Sequence, residues 1–115
     1  MNVVRFREAP LYDAPGHSDM VMRRLQGLEA GQTDSVWIGL SVISPGGGTT
    51  STASTVEKLY VVVEGEVQMT AIVDGVVETV ILAALDSCRI APGEQRQLFN
   101  ASSSPAKILL AMPWQ

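Results

Sequence analysis

Few residues of this chain carry chemistry beyond packing. One histidine, His17, and one cysteine, Cys88, occur in 115 residues. Zinc, iron and copper sites rest on several imidazoles or thiolates, so a structural zinc site is close to excluded. A single cysteine has no partner for an internal disulfide. Cys88 lies in a strand-like stretch and reads as a small buried apolar residue. Lys58 and Tyr60 stand two apart in the run Lys58-Leu-Tyr-Val-Val-Val63. Side chains alternate along a strand, so Lys58, Tyr60 and Val62 share one face. A lysine with a lowered pKa can act as a general base or form a Schiff base. An arginine such as Arg96 suits a two-pronged grip on a carboxylate.

Short strands separated by turns must position these groups. The strand expectations are Asn2 to Phe6, Asp19 to Leu25, Ser35 to Ser44, Val56 to Val63, Glu66 to Val73, Val76 to Ala83, Ser87 to Ala91, Glu94 to Phe99 and Ala106 to Met112. The turns are Pro15-Gly16, Glu64-Gly65, Asp74-Gly75 and Pro92-Gly93, with a polar loop over 100–105. Asp-Gly between two apolar runs is a strong hairpin signal. Val67, Met69, Ala71 and Val73 alternate with Glu66, Gln68 and Thr70, the pattern of a half-buried antiparallel strand. Pro45-Gly46-Gly47-Gly48 is expected to end the third strand. Residues 18–28 could be read as a helix but fit better as a strand. Many short strands at regular spacing define an all-β sandwich or barrel.

The length fits one domain spanning residues 1–115. Hydrophobic residues make up 46% of it, enough for a core. No run approaches the roughly 18 apolar residues that a membrane span needs. The start, Met1-Asn-Val-Val-Arg-Phe6, has no signal-peptide stretch, so a cytoplasmic location is expected. The net charge of −4 and the lack of a basic stripe argue against nucleic acid as a partner.

The spacing of particular residues resembles the cupin superfamily. Its first motif runs Gly, five residues, His, one, His, three or four, Glu, six, Gly. Gly46, Thr52, Ser54, Lys58 and Gly65 meet that spacing. Both glycines are kept and all three ligands are replaced. The second motif runs Gly, five, Pro, one, Gly, two, His, three, Asn. Leu85, Ala91, Gly93, Arg96 and Asn100 fall on those positions, with Asp86 at the usual Gly-Asp turn. From Gly46 to Asn100 the two motifs span about half the chain. The resemblance implies an all-β jelly-roll, or double-stranded β-helix, barrel with a pocket at its mouth and frequent dimerisation.

The resemblance also places Thr52, Ser54, Lys58 and Arg96 together, pointing into the barrel. Neutral hydroxyls are poor metal ligands, and Lys and Arg bring positive charge where a cation would sit. No metal or other cofactor is therefore expected. Two cations in a half-apolar cavity call for an anion between them, so the expected partner is a small organic acid or other oxyanion. Lys58 and Tyr60 are the candidate catalytic pair of a metal-independent isomerase, tautomerase or lyase. Arg96, Thr52, Ser54, His17, Trp37 and Met69 are the candidate substrate-binding residues. His17 enters if its segment folds over the barrel mouth. Trp37 and Met69 enter as pocket wall or core. Competing readings have Lys58 turned to solvent beside Glu57 and Arg96 on the rim, a barrel that binds without turnover, or a metal held by His17, Glu57 or Asp86. A homodimer that covers a sheet edge is expected, and Trp114 could cover a partner surface.

Overall fold

A computed structural model describes residues 1–114. Its strands are β1 (Leu11–Tyr12), β2 (His17–Gln26), β3 (Val36–Thr49), β4 (Thr52–Ala53), β5 (Lys58–Glu64), β6 (Val67–Val73), β7 (Val76–Leu82), β8 (Ser87–Ile90), β9 (Gln95–Phe99) and β10 (Ala106–Pro113). All pairings are antiparallel. The sheet runs β7-β6-β9-β3-β10-β5-β8, with β2 laid along β3, β1 along β2 and β4 along β9. It curls into a nearly closed jelly-roll barrel whose open seam lies between β7 and β8.

Alternation decides which face is inside. On β5, Lys58, Tyr60 and Val62 are buried while Leu59 is exposed. On β6, Val67 and Met69 are buried, and on β9, Arg96 and Leu98 are. Ile43, Val62, Val67, Leu82, Leu98 and Ile108 form the centre of the apolar core. Burying an aliphatic side chain of this size contributes about 1.5–3 kcal/mol.

Two strand expectations need correction. Residues 2–6 form no strand. They lead into a 3-10 turn at Phe6–Glu8, and Val3 and Phe6 are exposed. Side chains tether this segment instead of a ladder: Gln26 Nε2 donates to the Asn2 carbonyl at 3.2 Å. The strand that pairs with β2 is the later Leu11–Tyr12.

Nor does β3 end at Pro45-Gly46. It bends there and runs on to Thr49. Its first part pairs with β10, and Gly48 pairs with Phe99 of β9. Glycine permits the bend. Gly46 has φ 83°, a conformation that side chains disfavour. A Cβ on Gly48 would lie 2.1 Å from the Leu98 carbonyl oxygen, so only glycine lets β3 approach β9 so closely. The bend carries β3 from one wall of the barrel to the other and delivers Thr49 into the interior, where it is buried.

Candidate functional site

Three strands bring the basic residues together. Lys58 and Tyr60 come inward from β5, Arg96 comes from β9, and His17 opens β2 opposite Thr49. Lys58 is 7% exposed and Arg96 is 6% exposed. The reading that turned both to solvent therefore does not hold, and Glu57 pairs instead with Arg89.

Arg96 is anchored through Nε and Nη1 by neutral oxygens. Its Nε donates to the Tyr60 hydroxyl at 3.0 Å. Its Nη1 donates to Thr49 Oγ1 at 3.1 Å, to Thr52 Oγ1 at 3.3 Å and to the Thr50 carbonyl at 3.4 Å. Thr49 Oγ1 also accepts the Leu98 amide, so this hydroxyl ties β3 to β9. Among the described residues, no carboxylate lies in ion-pair contact with Arg96, Lys58 or His17. Lys58 makes no hydrogen bond to them either. Burial, helped by the Arg96 charge, lowers the Lys58 pKa to about 8. His17 is also pushed below its usual value. Burial is the main cause, opposed by the hydrogen bond to Pro15, with the charges of Arg96 and Lys58 adding to the shift. Its Nδ1 donates to the Pro15 carbonyl at 2.9 Å, which holds the ring against the interior. Burial raises the Tyr60 pKa, against the lowering effect of Arg96, so the phenol keeps its proton near neutral pH.

Two voids lie near this cluster, and Tyr60 and Arg96 line only the smaller. On one side lies a void of about 20 Å³ among Tyr12, His17, Met20, Met22, Ser41 and Thr49. That is room for roughly one water molecule. On the other side, at the seam, lies an open cavity of about 350 Å³ lined by Met69, Ala71, Glu78, Val80, Leu82, Cys88, Ile90 and Glu94, among others. This is the size of a small-ligand pocket. No residue lines both, and strand pairing alone relates the two regions. Ala71, Cys88 and Ile90 line the cavity and are the register partners of Arg96, Tyr60 and Lys58. Glu78, on the far side of Ala71, brings a carboxylate to the cavity wall. Glu94 brings another and accepts the Ala91 amide at 3.0 Å. Burial, with Glu94 beside it, raises the Cys88 pKa, so the half-buried thiol stays protonated.

The candidate set is thus only partly assembled. Lys58, Tyr60, Arg96, Thr52 and His17 gather in one region, and Met69 lines the seam cavity. Ser54 stays apart, because its hydroxyl donates to the Val56 carbonyl in its own loop at 2.9 Å. Trp37 also stays apart. It packs edge-on against Tyr12, with ring centroids 5.8 Å apart, and Arg24 stacks over both rings at the far end of the interior. Glu78 and Glu94 were not singled out in advance. Glu78 had a signal, as a lone carboxylate in the apolar run of β7.

By motif spacing the cupin metal positions fall on Thr52, Ser54, Lys58 and Arg96, and hydroxyls with two cationic side chains are a donor set that does not fit a divalent cation. Among the described residues, no three His, Cys, Asp or Glu side chains come together as a metal site. Asp86 accepts the Ala83 amide at 2.9 Å, and Glu57 pairs with Arg89. No helix among the described residues is long and apolar enough to cross a membrane.

The nearly closed antiparallel barrel and its structural matches define a small cupin. Solved structures agree on the fold. The polyketide cyclase RemF from Streptomyces resistomycificus matches with a TM-score of 0.79 at 21% identity, over 100% of this chain and 80% of that one. An RmlC-like cupin from Shewanella frigidimarina matches with a TM-score of 0.72 at 17% identity, over 98% and 90%. No protein-family profile matches the chain. The chain belongs to the family of the Mycobacterium tuberculosis protein named beta-D-galactosidase Rv1717, to which it is 43% identical over 112 residues, 97% of this chain and 93% of that one.

Proposed function

We propose that this barrel hydrolyses β-D-galactosides at its seam cavity. The observation that carries the reading is the 43% identity, over nearly the whole of both chains, to a protein named a β-D-galactosidase. Glycoside hydrolysis generally needs two carboxyl groups. One protonates the leaving oxygen, and the other activates water or attacks the anomeric carbon. Water's hydroxyl ends on the anomeric carbon and its proton on the departing alcohol. Glu78 and Glu94 are the carboxylates on the cavity wall. The test is release of nitrophenol from nitrophenyl β-D-galactopyranoside by the purified chain, with the α-galactoside and β-glucoside as controls. Loss of about a hundredfold in kcat in Glu94→Gln or Glu78→Gln supports the pair. Absence of any β-galactoside cleavage overturns the reading.

The second reading rests on Lys58. A buried amine with a pKa of about 8 and no partner is the group a metal-independent isomerase, tautomerase or lyase would use on a small organic acid. In it Lys58 is the base, Tyr60 the proton donor and Arg96 the carboxylate grip. A barrel that holds the same anion without turnover is its non-catalytic form. Lys58→Met separates the two: it abolishes turnover of an organic acid in the first, and only weakens binding in the second. The proposed setting is the cytoplasm, and the proposed assembly is a homodimer through the exposed edge of β7.

A further inference from the structure

The interior cations are unexplained by hydrolysis of a neutral sugar. Lys58 and Arg96 are among the most buried polar side chains of the chain, yet all four ion pairs among the described residues lie elsewhere. Hydroxyls and a carbonyl occupy Arg96 Nε and Nη1. Its Nη2 makes no hydrogen bond among the described residues, and neither does Lys58 Nζ. Both nitrogens still reach solvent, yet two like charges in a largely buried region repel, and an anion between them relieves that repulsion. An arginine with one terminal nitrogen pinned, next to a lysine point charge, is a receptor for an oxyanion. Lys58 and Arg96 do not line the seam cavity themselves, but their register partners, Ile90 and Ala71, do, so each stands one strand away from it on the same face of the sheet.

We propose that the galactoside this barrel takes is an acidic one, with a carboxylate, phosphate or sulfate on the sugar that seats between Lys58 and Arg96 while the sugar body occupies the seam cavity. This rests on the galactosidase reading and narrows its substrate class. The net charge of the chain, −4, and Glu78 and Glu94 on the cavity wall oppose the approach of such a ligand, so its attraction must come locally from Lys58 and Arg96.

The experiment compares kcat/KM for nitrophenyl β-D-galactopyranoside with that for its 6-phosphate, its 6-sulfate and the corresponding galacturonide. It uses the wild type, Lys58→Met, Arg96→Gln and the conservative Lys58→Arg. Quoting the acidic-to-neutral ratio within each variant cancels any general loss of folded protein. At least one acidic substrate is expected to be favoured tenfold or more by the wild type. That ratio should fall towards one in Lys58→Met and Arg96→Gln and be largely kept in Lys58→Arg. The acid that wins names the group. Cleavage of the neutral galactoside with no acidic preference overturns this inference and leaves the galactosidase reading standing. A preference that survives in both Lys58→Met and Arg96→Gln also overturns it. No cleavage of any galactoside overturns both.

Discussion

Tyr60 and Arg96 are joined across the barrel: the Tyr60 hydroxyl of β5 accepts the Arg96 Nε–H of β9 at 3.0 Å. The two strands do not pair with each other, so this hydrogen bond links walls that the ladder leaves separate. It also aims the guanidinium, and it borders the small void. Tyr60→Phe removes the acceptor and leaves a buried guanidinium nitrogen short of a partner. A hydrogen bond to a charged group is worth about 1.5–3 kcal/mol. Tyr60→Phe is therefore expected to lower unfolding free energy by about 2 kcal/mol in urea titration, with an unchanged slope. A loss under about 0.5 kcal/mol would mean the guanidinium is solvated from the cavity.

Lys58 sets a pH dependence whose sign follows from its lowered pKa. In the unfolded chain the amine titrates near 10.5, and in the fold at about 8. Between those values the unfolded chain binds more protons, so stability rises with pH. Below about 8 both states carry the charge, and folding bears the full cost of burying it. Lys58→Met is expected to stabilise the protein at pH 7 by on the order of 2 kcal/mol. The gain should shrink as pH rises towards 10.5. Thermal unfolding of both proteins at pH 7, 9 and 10.5 measures it. A difference that does not change with pH would place the amine in solvent.

The strands were legible because alternation and turns agree. The period of two over Val67 to Ala71 and the Asp74-Gly75 turn define the β6–β7 hairpin as it stands in the structure. Motif spacing brought Lys58, Arg96 and Thr52 together without any contact information. What failed was where local chemistry outcompeted the pattern. Ser54 spends its hydroxyl on its own loop. Glycines read as an end of β3 act as its hinge. Trp37 shares the inward face of β3 with Ser41, as alternation requires. Four residues of strand separate them by roughly 13 Å, so face alone does not tell which end of the barrel a side chain serves. The seam cavity was not legible, because it depends on β7 and β8 failing to meet.

Leu85 explains a departure from the cupin motif. It occupies the position where the second motif has glycine, and its φ is 74°. A left-handed conformation costs a non-glycine residue about 1–2 kcal/mol. Leu85 is 81% exposed, so its side chain returns little by burial. Its amide donates to the Val62 carbonyl at 2.7 Å, which holds the conformation in place. Leu85→Gly keeps that hydrogen bond and removes the strain, against the greater chain entropy of glycine when unfolded. A net stabilisation of about 0.5–1 kcal/mol is expected, read as a rise in Tm. A fall in Tm would show that the exposed leucine packs against something, a partner subunit first among the candidates.

The edge of β7 is where a second copy would pair. This strand bonds to β6 alone, and Val77 and Ile81 on its outward face are 62% and 55% exposed. Val76, Val80 and the neighbouring Val73 add further apolar surface. An apolar strand with a free edge is a template for another strand, and soluble proteins guard such edges with charge or cover them. No lysine or arginine lies on β7, and its lone charge, Glu78, is on the inward face lining the cavity. Two copies related by a twofold axis would pair β7 with β7 antiparallel and close the seam from outside. The expected species in size-exclusion chromatography with light scattering is twice the 12.3 kDa chain. Val77→Lys with Ile81→Lys, both on the outward face, should leave the barrel folded and shift it to monomer. A wild-type monomer at tens of micromolar would sink the dimer, and a double variant that stays dimeric would move the interface to another edge.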